Sequence, residues 1–403
     1  MNIWLVNPFD PLPGESFRPG RYAFLAEMLA QKGHKVTWWT SNFFHLTKSF
    51  REPIKNKENL KIIQLPVPAY QDNVSLKRAW NHHLYARRFQ RLALKNREQP
   101  EVIIASCPPP SSAKISLNVA KKLGVKCIID VQDLWPEAFE TVFSSKIARA
   151  VFYPLKKYAD SIYKQANALM AVSQAYKKRA LSVCKSSKNS FVLHLGIDLS
   201  LFDRVKESNF PAKKKDGEWW ATYIGTIGKS YDIKTIFDAA ESLESSHKSI
   251  RFFIAGDGPQ LIEMKKIAAE KKLNNCLFLG FLRFEDMVGL LRQSDIGLHC
   301  IVTGSKIAFP NKVFDYMAAR LPIVNSVQGE LEELLKSENT GIQYEGGNAE
   351  SLKNAILELY RNPEKRKEMG ANARRLAEER FDKNKTYPQL AGFLEDVACH
   401  EKN

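Results

Sequence analysis

Acidic residues are scarce in this chain. Its 403 residues carry 60 Lys and Arg against 44 Asp and Glu, a formal net charge of +16, so its partners are expected to be anionic: phosphates, nucleic acid or an acidic bilayer surface. Cysteine is also sparse. The six thiols, Cys107, Cys127, Cys184, Cys276, Cys300 and Cys399, form no C-x-x-C pair and no Cys/His zinc spacing, which speaks for a reducing cytosol and against a structural metal. No stretch approaches the ~20 apolar residues that cross a bilayer, so any membrane contact is expected to be peripheral. The opening MNIWLVNPFD runs directly into Pro8, Asp10 and Pro11 without a basic leader, and reads as a first strand rather than a signal peptide. No short period repeats, which excludes solenoids and propellers.

What is present is alternation. Short apolar runs near 3–7, 36–40, 62–65, 102–106, 127–131, 169–173 and 191–195 are separated by helical stretches, the pattern of βα units building a parallel sheet. Around 201–218 the pattern lapses into KKKDGE, beside Pro211, and apolar periodicity is lost, so this stretch is expected to be the linker. A second series follows near 219–224, 252–255, 277–279, 296–300, 323–325 and 342–344. Chains usually divide beyond roughly 250–300 residues. The expected organisation is therefore α/β with two doubly wound Rossmann-like domains, 1–205 and 206–380, and a segment 381–403 returning to the first. In such sheets ligands sit beyond the carboxyl ends of the strands.

The first turn of the second series reads YIGTIGKSYDIKTIFDAA over 223–240, with glycines between a strand and a helix, where backbone N–H groups can face a phosphate. Gly228, Lys229 and Ser230 imitate the end of a P-loop, but Tyr223 stands where its first glycine belongs. FIAGDGPQ places Gly256 and Gly258 after another strand. FPNKVFDYMAARLPIV, 309–324, sets Lys312 and Asp315 at a helix start: a cation for phosphate and a paired acceptor for ribose hydroxyls. The alternative for both is a solvated helix end.

Taken in order, Gly225-Thr226, Gly256-Asp257-Gly258 and 309–315, preceded by HLGIDLSLF at 194–202, resemble glycosyltransferase family 4, in the branch that makes bacterial surface polysaccharides. The resemblance implies the GT-B fold, two Rossmann-like domains facing across a cleft, with a nucleoside diphosphate sugar, of the UDP type, in the second. It assigns Gly14, Gly225, Thr226, Gly256, Asp257, Gly258, Asn311 and Asp315 to the donor, with Lys229 and Lys312 as catalytic cations. Many members have Arg where this chain has Thr226, Lys where it has Tyr231, and an acid where it has Ile307. Lys229 and Lys312 are the nearby cations that can substitute.

In the first half, VQDLWPEAF at 131–139 resembles the DLWP signature of the same branch, with Gln132 where relatives carry His. Asp133, at a strand's carboxyl end, is expected to hold the acceptor hydroxyl; the alternative is a helix cap. The loop 8–22 is long for a βα connection. It offers Gly14 to donor phosphates and Arg18 and Arg21 to an anionic acceptor, unless these are ordinary surface arginines. Residues 76–97 mix Lys77, Arg78, Arg87, Arg88, Arg91, Lys95 and Arg97 with Trp80, Tyr85, Phe89 and Leu92, a composition suited to an anionic bilayer. Their apolar positions divide into two faces, Leu76/Trp80/Leu84 and Tyr85/Phe89/Leu92. Ile147, Val151, Leu155, Tyr158 and Ile162 share one helical face, expected to pack on the first sheet.

No Ser-His-Asp, paired-carboxylate or metal constellation is visible, so electrostatic stabilisation of a departing diphosphate is the expected lever, with no enzyme nucleophile and no metal. The resemblance implies retention of anomeric configuration. It implies as partners the nucleotide sugar, a polyprenyl-diphosphate-linked saccharide acceptor and the anionic inner face of a bacterial plasma membrane, on which the protein would sit as a cytoplasmic, peripheral enzyme, with no nucleic acid. The rival readings are a nucleotide-sugar epimerase of similar architecture and a non-catalytic binder of anionic ligands.

Overall fold

A computed structural model describes the chain apart from residues 16–17, 74, 138–145, 185–187, 207–209, 211, 306 and 400–403, and the side chains of 146–150 and Cys399. It divides into two units, Met1–His194 with Thr386–Asn403, and Leu195–Lys385.

The first unit is built on β1 (Asn2–Val6), β2 (Lys35–Ser41), β5 (Leu60–Leu65), β6 (Val102–Cys107), β7 (Lys126–Val131), β8 (Ala168–Ala171) and β9 (Ser190–Val192). These form one parallel sheet in the order β5-β2-β1-β6-β7-β8-β9. The order reverses between β1 and β6, so the crevice of a doubly wound sheet lies at their carboxyl ends. Strands covered on both faces must be apolar throughout. Accordingly β6 is wholly buried, and Trp4 packs edge-on against Trp39 at 5.2 Å between ring centroids. The helix Arg21–Gln31 ends where Gly33, at φ +84, donates its N–H to the Ala30 carbonyl, the left-handed stop expected of glycine there. Tyr387, Leu390, Leu394 and Val397 from the chain's last segment join Ile3, Tyr22 and Leu25 in the core of this unit.

A small antiparallel hairpin, β3 (Phe43–Phe44) with β4 (Ser49–Phe50), follows β2. Strands of two residues carry no period, and sequence patterning does not reveal them.

The helix Leu76–Ala93 buries Tyr85, Phe89 and Ala93. The Tyr85 hydroxyl donates to the Trp39 carbonyl at 2.7 Å, and Phe89 meets the Trp39 ring edge-on at 5.3 Å. Its other face stands in water, with Leu76 90% and Trp80 55% exposed. One face is thus committed to the protein and the other is not. Leu92, on the same sequence face as Tyr85 and Phe89, is exposed, and Ala93 is buried beside them instead.

The stripe through 147–162 is corrected. In the helix Lys146–Gln165 only Ile162 of that stripe is buried; Leu155 is half-buried, Val151 is 64% exposed and Tyr158 is also exposed, while the side chain of Ile147 lies outside the described residues. Among its described side chains the helix turns inward near its end, through Ala159, Ile162 and Tyr163. Periodicity specifies that a face exists, not what covers it. No helix among the described residues is long and apolar enough to cross a membrane.

The second unit contains β10 (Trp219–Ile224), β11 (Ile250–Ala255), β12 (Cys276–Gly280), β13 (Ile296–His299), β14 (Ile323–Asn325) and β15 (Gly341–Gln343). All are parallel, in the order β12-β11-β10-β13-β14-β15. Here the order reverses between β10 and β13. The expected linker at 201–218 is also corrected, because its described residues are strapped to this unit. Leu199, Phe202 and Phe210 lie in its core with Trp220, and Lys214 pairs with Asp295. Two aromatic anchors in a charged stretch outweigh its composition.

Candidate functional site

The turn after β10 rises from the switch point of the second sheet. Gly225, at φ +118, and Thr226 are exposed, whereas Ile227 is buried. This turn rests on the next one: Gly225 N–H donates to Ala255 O and Ile227 N–H to Asp257 O, both at 2.9 Å. A side chain at Gly256 would collide with the Gly225 carbonyl, and one at Gly258 with that of Ile227. These two glycines, expected at the donor, therefore serve the close approach of two backbones. The Asp257 carboxylate is engaged in the same task, accepting the Gly258 N–H at 2.7 Å. Lys229 lies exposed further along the turn.

Lys312 enters this place from the helix Asn311–Ala318, which follows β13. Its residue is only 7% exposed. Its Nζ lies over the rings of Tyr223 at 3.8 Å and Tyr231 at 4.3 Å, and comes within 3.0 Å of where a side chain on Gly225 would begin. A solvated helix end is ruled out by that burial. Among the described residues no hydrogen-bond acceptor meets this ammonium, and burial, offset in part by Cys300, pushes it down to about 7. An unpaired buried amine is costly. Tyr231, which replaces the family's usual lysine, instead supplies a ring that cradles a lysine from another element. Asp315, one turn further on the same helical face, is buried. Asn311 is exposed at the helix start.

His299, at the end of β13, escaped the sequence reading. Its imidazole is fully buried, its Nδ1 is 2.8 Å from Asn325 Oδ1, and its Nε2 has no hydrogen-bond partner among the described residues. Burial first, and Lys312 next, push it down to about 3, so it is neutral. A histidine inside an apolar strand gives no sequence signal of this kind, because its neighbours come from β14 and from the helix bearing Lys312.

In the first unit Arg21 is a correction. It was expected to meet an acceptor, yet it is buried, with Nε and Nη2 each 2.9 Å from the Asp130 carboxylate and Nη1 donating to the Leu193 carbonyl at 2.7 Å. The Tyr387 hydroxyl accepts from it as well, at 3.4 Å. Its donors are consumed by the fold. Gly14 is exposed at φ +90 and Arg18 is half-buried in the same loop. Asp133 follows β7; its Oδ1 accepts the Leu134 N–H at 2.9 Å and the Tyr176 hydroxyl at 3.5 Å. Burial raises its carboxyl above the ordinary value against those two hydrogen bonds. A cap would accept from two or three residues on, so the bond to Leu134 is not a cap; the segment 138–145 that a capped helix would occupy lies outside the described residues.

Comparison with known proteins follows this geometry. The family model Glycosyltransferase Family 4 matches residues 22–201, and the model Glycosyl transferases group 1 matches 205–376. The chain is 24% identical over 257 residues to an uncharacterised glycosyltransferase of Methanocaldococcus jannaschii, covering 64% of each chain. It is 23% identical over 250 residues to the amylovoran biosynthesis glycosyltransferase AmsK of Erwinia amylovora, covering 60% of each. The matches thus span less than two thirds of these relatives' lengths. In fold it is similar to Anabaena HepE, crystallised with UDP, with a TM-score of 0.70 and 16% identity over 98% of this chain and 100% of that one. With both halves of the chain matched and both sheets of the GT-B type, the protein belongs to glycosyltransferase family 4.

Proposed function

We propose that the protein is a retaining glycosyltransferase that moves a sugar from a uridine diphosphate sugar to a lipid-linked saccharide in bacterial surface polysaccharide synthesis. The observation that carries this reading is the buried, acceptor-less ammonium of Lys312 beside the open Gly225 turn, at the switch point of the second sheet. A diphosphate is the ligand that would complete such a site. UDP in the HepE crystal and the amylovoran role in the name of AmsK support the donor class and the product class.

In this reading the bond from the sugar C1 to the diphosphate oxygen breaks with its electron pair on that oxygen. The acceptor hydroxyl bonds to C1 from the same face, and its proton passes to the departing phosphate. Lys312, with Lys229 on the Gly225 turn, stabilises the charge that develops there. Asp315 takes ribose hydroxyls. Asp133 is assigned to the acceptor, accepting a hydrogen bond from it that positions the attacking hydroxyl before its proton passes to the phosphate. Acceptor-dependent release of nucleoside diphosphate, with a glycosylated lipid as product, tests the activity. Release without any acceptor, or an isomerised donor, would favour an epimerase. Asp133→Asn should keep donor affinity within about twofold and lower turnover about 100-fold; turnover like the parent's would remove Asp133 from the mechanism.

We also place the protein on an anionic membrane surface. Arg87, Arg88 and Arg91, on the same helix as exposed Leu76 and Trp80, line a groove with Leu84, Leu94 and Lys122 of the helix Pro110–Leu123, and that lining holds no acid. Each basic residue near such a surface contributes about 1 kcal/mol. Replacing Arg87, Arg88 and Arg91 with Gln should weaken binding to phosphatidylserine vesicles roughly 100-fold and leave the weak binding to phosphatidylcholine unaltered. Vesicle binding that does not change would place the anchor elsewhere.

A further inference from the structure

Residues 12–15 after β1 and residues 44–54 around the hairpin after β2 line a groove of about 500 Å³, a volume within the range of small-molecule sites; Gly14, which the resemblance gives to the donor, lies on its wall. Its wall combines apolar Leu12 and Phe44 with Phe50, Arg51, Glu15 and Glu52. Phe50 is 57% exposed and meets Phe43 in a T-shaped contact at 5.8 Å between ring centroids, so much of its apolar surface is open. Arg51 is the opposite case. Its side chain is wholly buried, stacked 4.9 Å over Phe44, with Nη2 donating to the Asp10 carbonyl at 2.8 Å. Nη1 stands 3.4 Å from Glu15, and among the described residues neither Nη1 nor Nε has a hydrogen-bond acceptor.

These groups specify a ligand class. An exposed aromatic face takes the polarised C–H face of a saturated ring, carboxylates accept from pairs of hydroxyls, and a buried guanidinium with idle N–H groups donates to ring or hydroxyl oxygens. The two carboxylates, Glu15 and Glu52, repel a phosphate or a sugar acid. A molecule with one apolar face and a rim of hydroxyls matches all four requirements. The groove also lies beyond the carboxyl ends of β1 and β2, where a parallel sheet carries its ligands. We propose that this groove holds a neutral pyranose of the acceptor saccharide, stacked on Phe50 and hydrogen-bonded by Arg51, Glu15 and Glu52. The assignment rests on the reading of the first unit as the acceptor-binding one.

The test is saturation-transfer NMR with the full chain and the methyl glycosides of glucose, galactose, mannose, N-acetylglucosamine and glucuronic acid. At least one neutral glycoside should receive saturation on its ring protons, and Phe50→Ala, at an exposed site where folding is unaffected, should weaken that binding roughly fivefold. Arg51→Lys should weaken it too while Phe50 is intact. The glucuronide should bind least. No transfer to any neutral glycoside, transfer indifferent to Phe50→Ala, or a preference for the glucuronide overturns the proposal. UDP titrated into the same samples separates the two readings: normal UDP binding without Phe50-dependent glycoside contact sinks this groove alone, whereas glycoside contact without UDP binding sinks the transferase assignment and keeps the groove as a saccharide site.

Discussion

Lys312→Met should slow sugar transfer about 100-fold while making the protein more stable. The rate loss is that of removing a donor aimed at charge that develops on the leaving diphosphate, on the order of 3 kcal/mol. The stability gain has a separate origin. Burial holds the ammonium at about 7 in the fold against 10.5 when exposed, so at neutral pH the folded state bears a penalty of about 4 kcal/mol that Met does not. Between pH 7 and 10.5 the unfolded chain binds more protons at this position than the folded one. The parent's stability therefore rises with pH across that window, and below pH 7 the penalty stays at its maximum. Thermal melts of parent and variant should differ most at pH 7 and converge towards pH 10.5. A variant that melts lower than the parent, or that turns over normally, would mean that Lys312 is a structural residue.

Arg21→Met is expected to act in the opposite way, on the fold and not on the acceptor. It strands the fully buried Asp130 carboxylate without its bidentate partner, a loss of about 3–5 kcal/mol, or roughly 10 °C in the melting midpoint of a unit this size. Adding Asp130→Leu should recover most of it, because a well-packed apolar pair replaces a buried ion pair at little net cost. If Arg21→Met melts like the parent and instead raises the KM for acceptor, Arg21 belongs to the site after all.

The contrast between these two residues shows what a sequence can and cannot disclose. Both sheets were legible, since strands buried on both faces are continuous apolar runs: β10 and β14 fall where their patterns place them. The Gly225 turn and the start of the Asn311–Ala318 helix were legible too, being local features of composition and spacing. Arg21 was not, because its partner lies 109 residues away and a lone arginine reads by default as surface. Nor was the solitude of Lys312, which depends on the rings of Tyr223 and Tyr231 folding over it from another part of the chain. The exposed face at Val151 and Tyr158 failed for the same reason, since a helical period carries no information about its cover.

The account stands or falls on whether the donor's diphosphate meets the Lys312 ammonium, and calorimetric titration of UDP between pH 7.5 and 8.5 measures this most directly. A ligand that needs the charged amine must draw a proton from solution once the pH exceeds the free value near 7. The parent should therefore lose affinity close to tenfold per pH unit, with a binding heat that varies with the buffer's ionisation enthalpy by about one proton. Lys312→Met should bind UDP more weakly and without that slope. Affinity of the parent that is flat across this range, or a variant that binds UDP as the parent does, would contradict the claim.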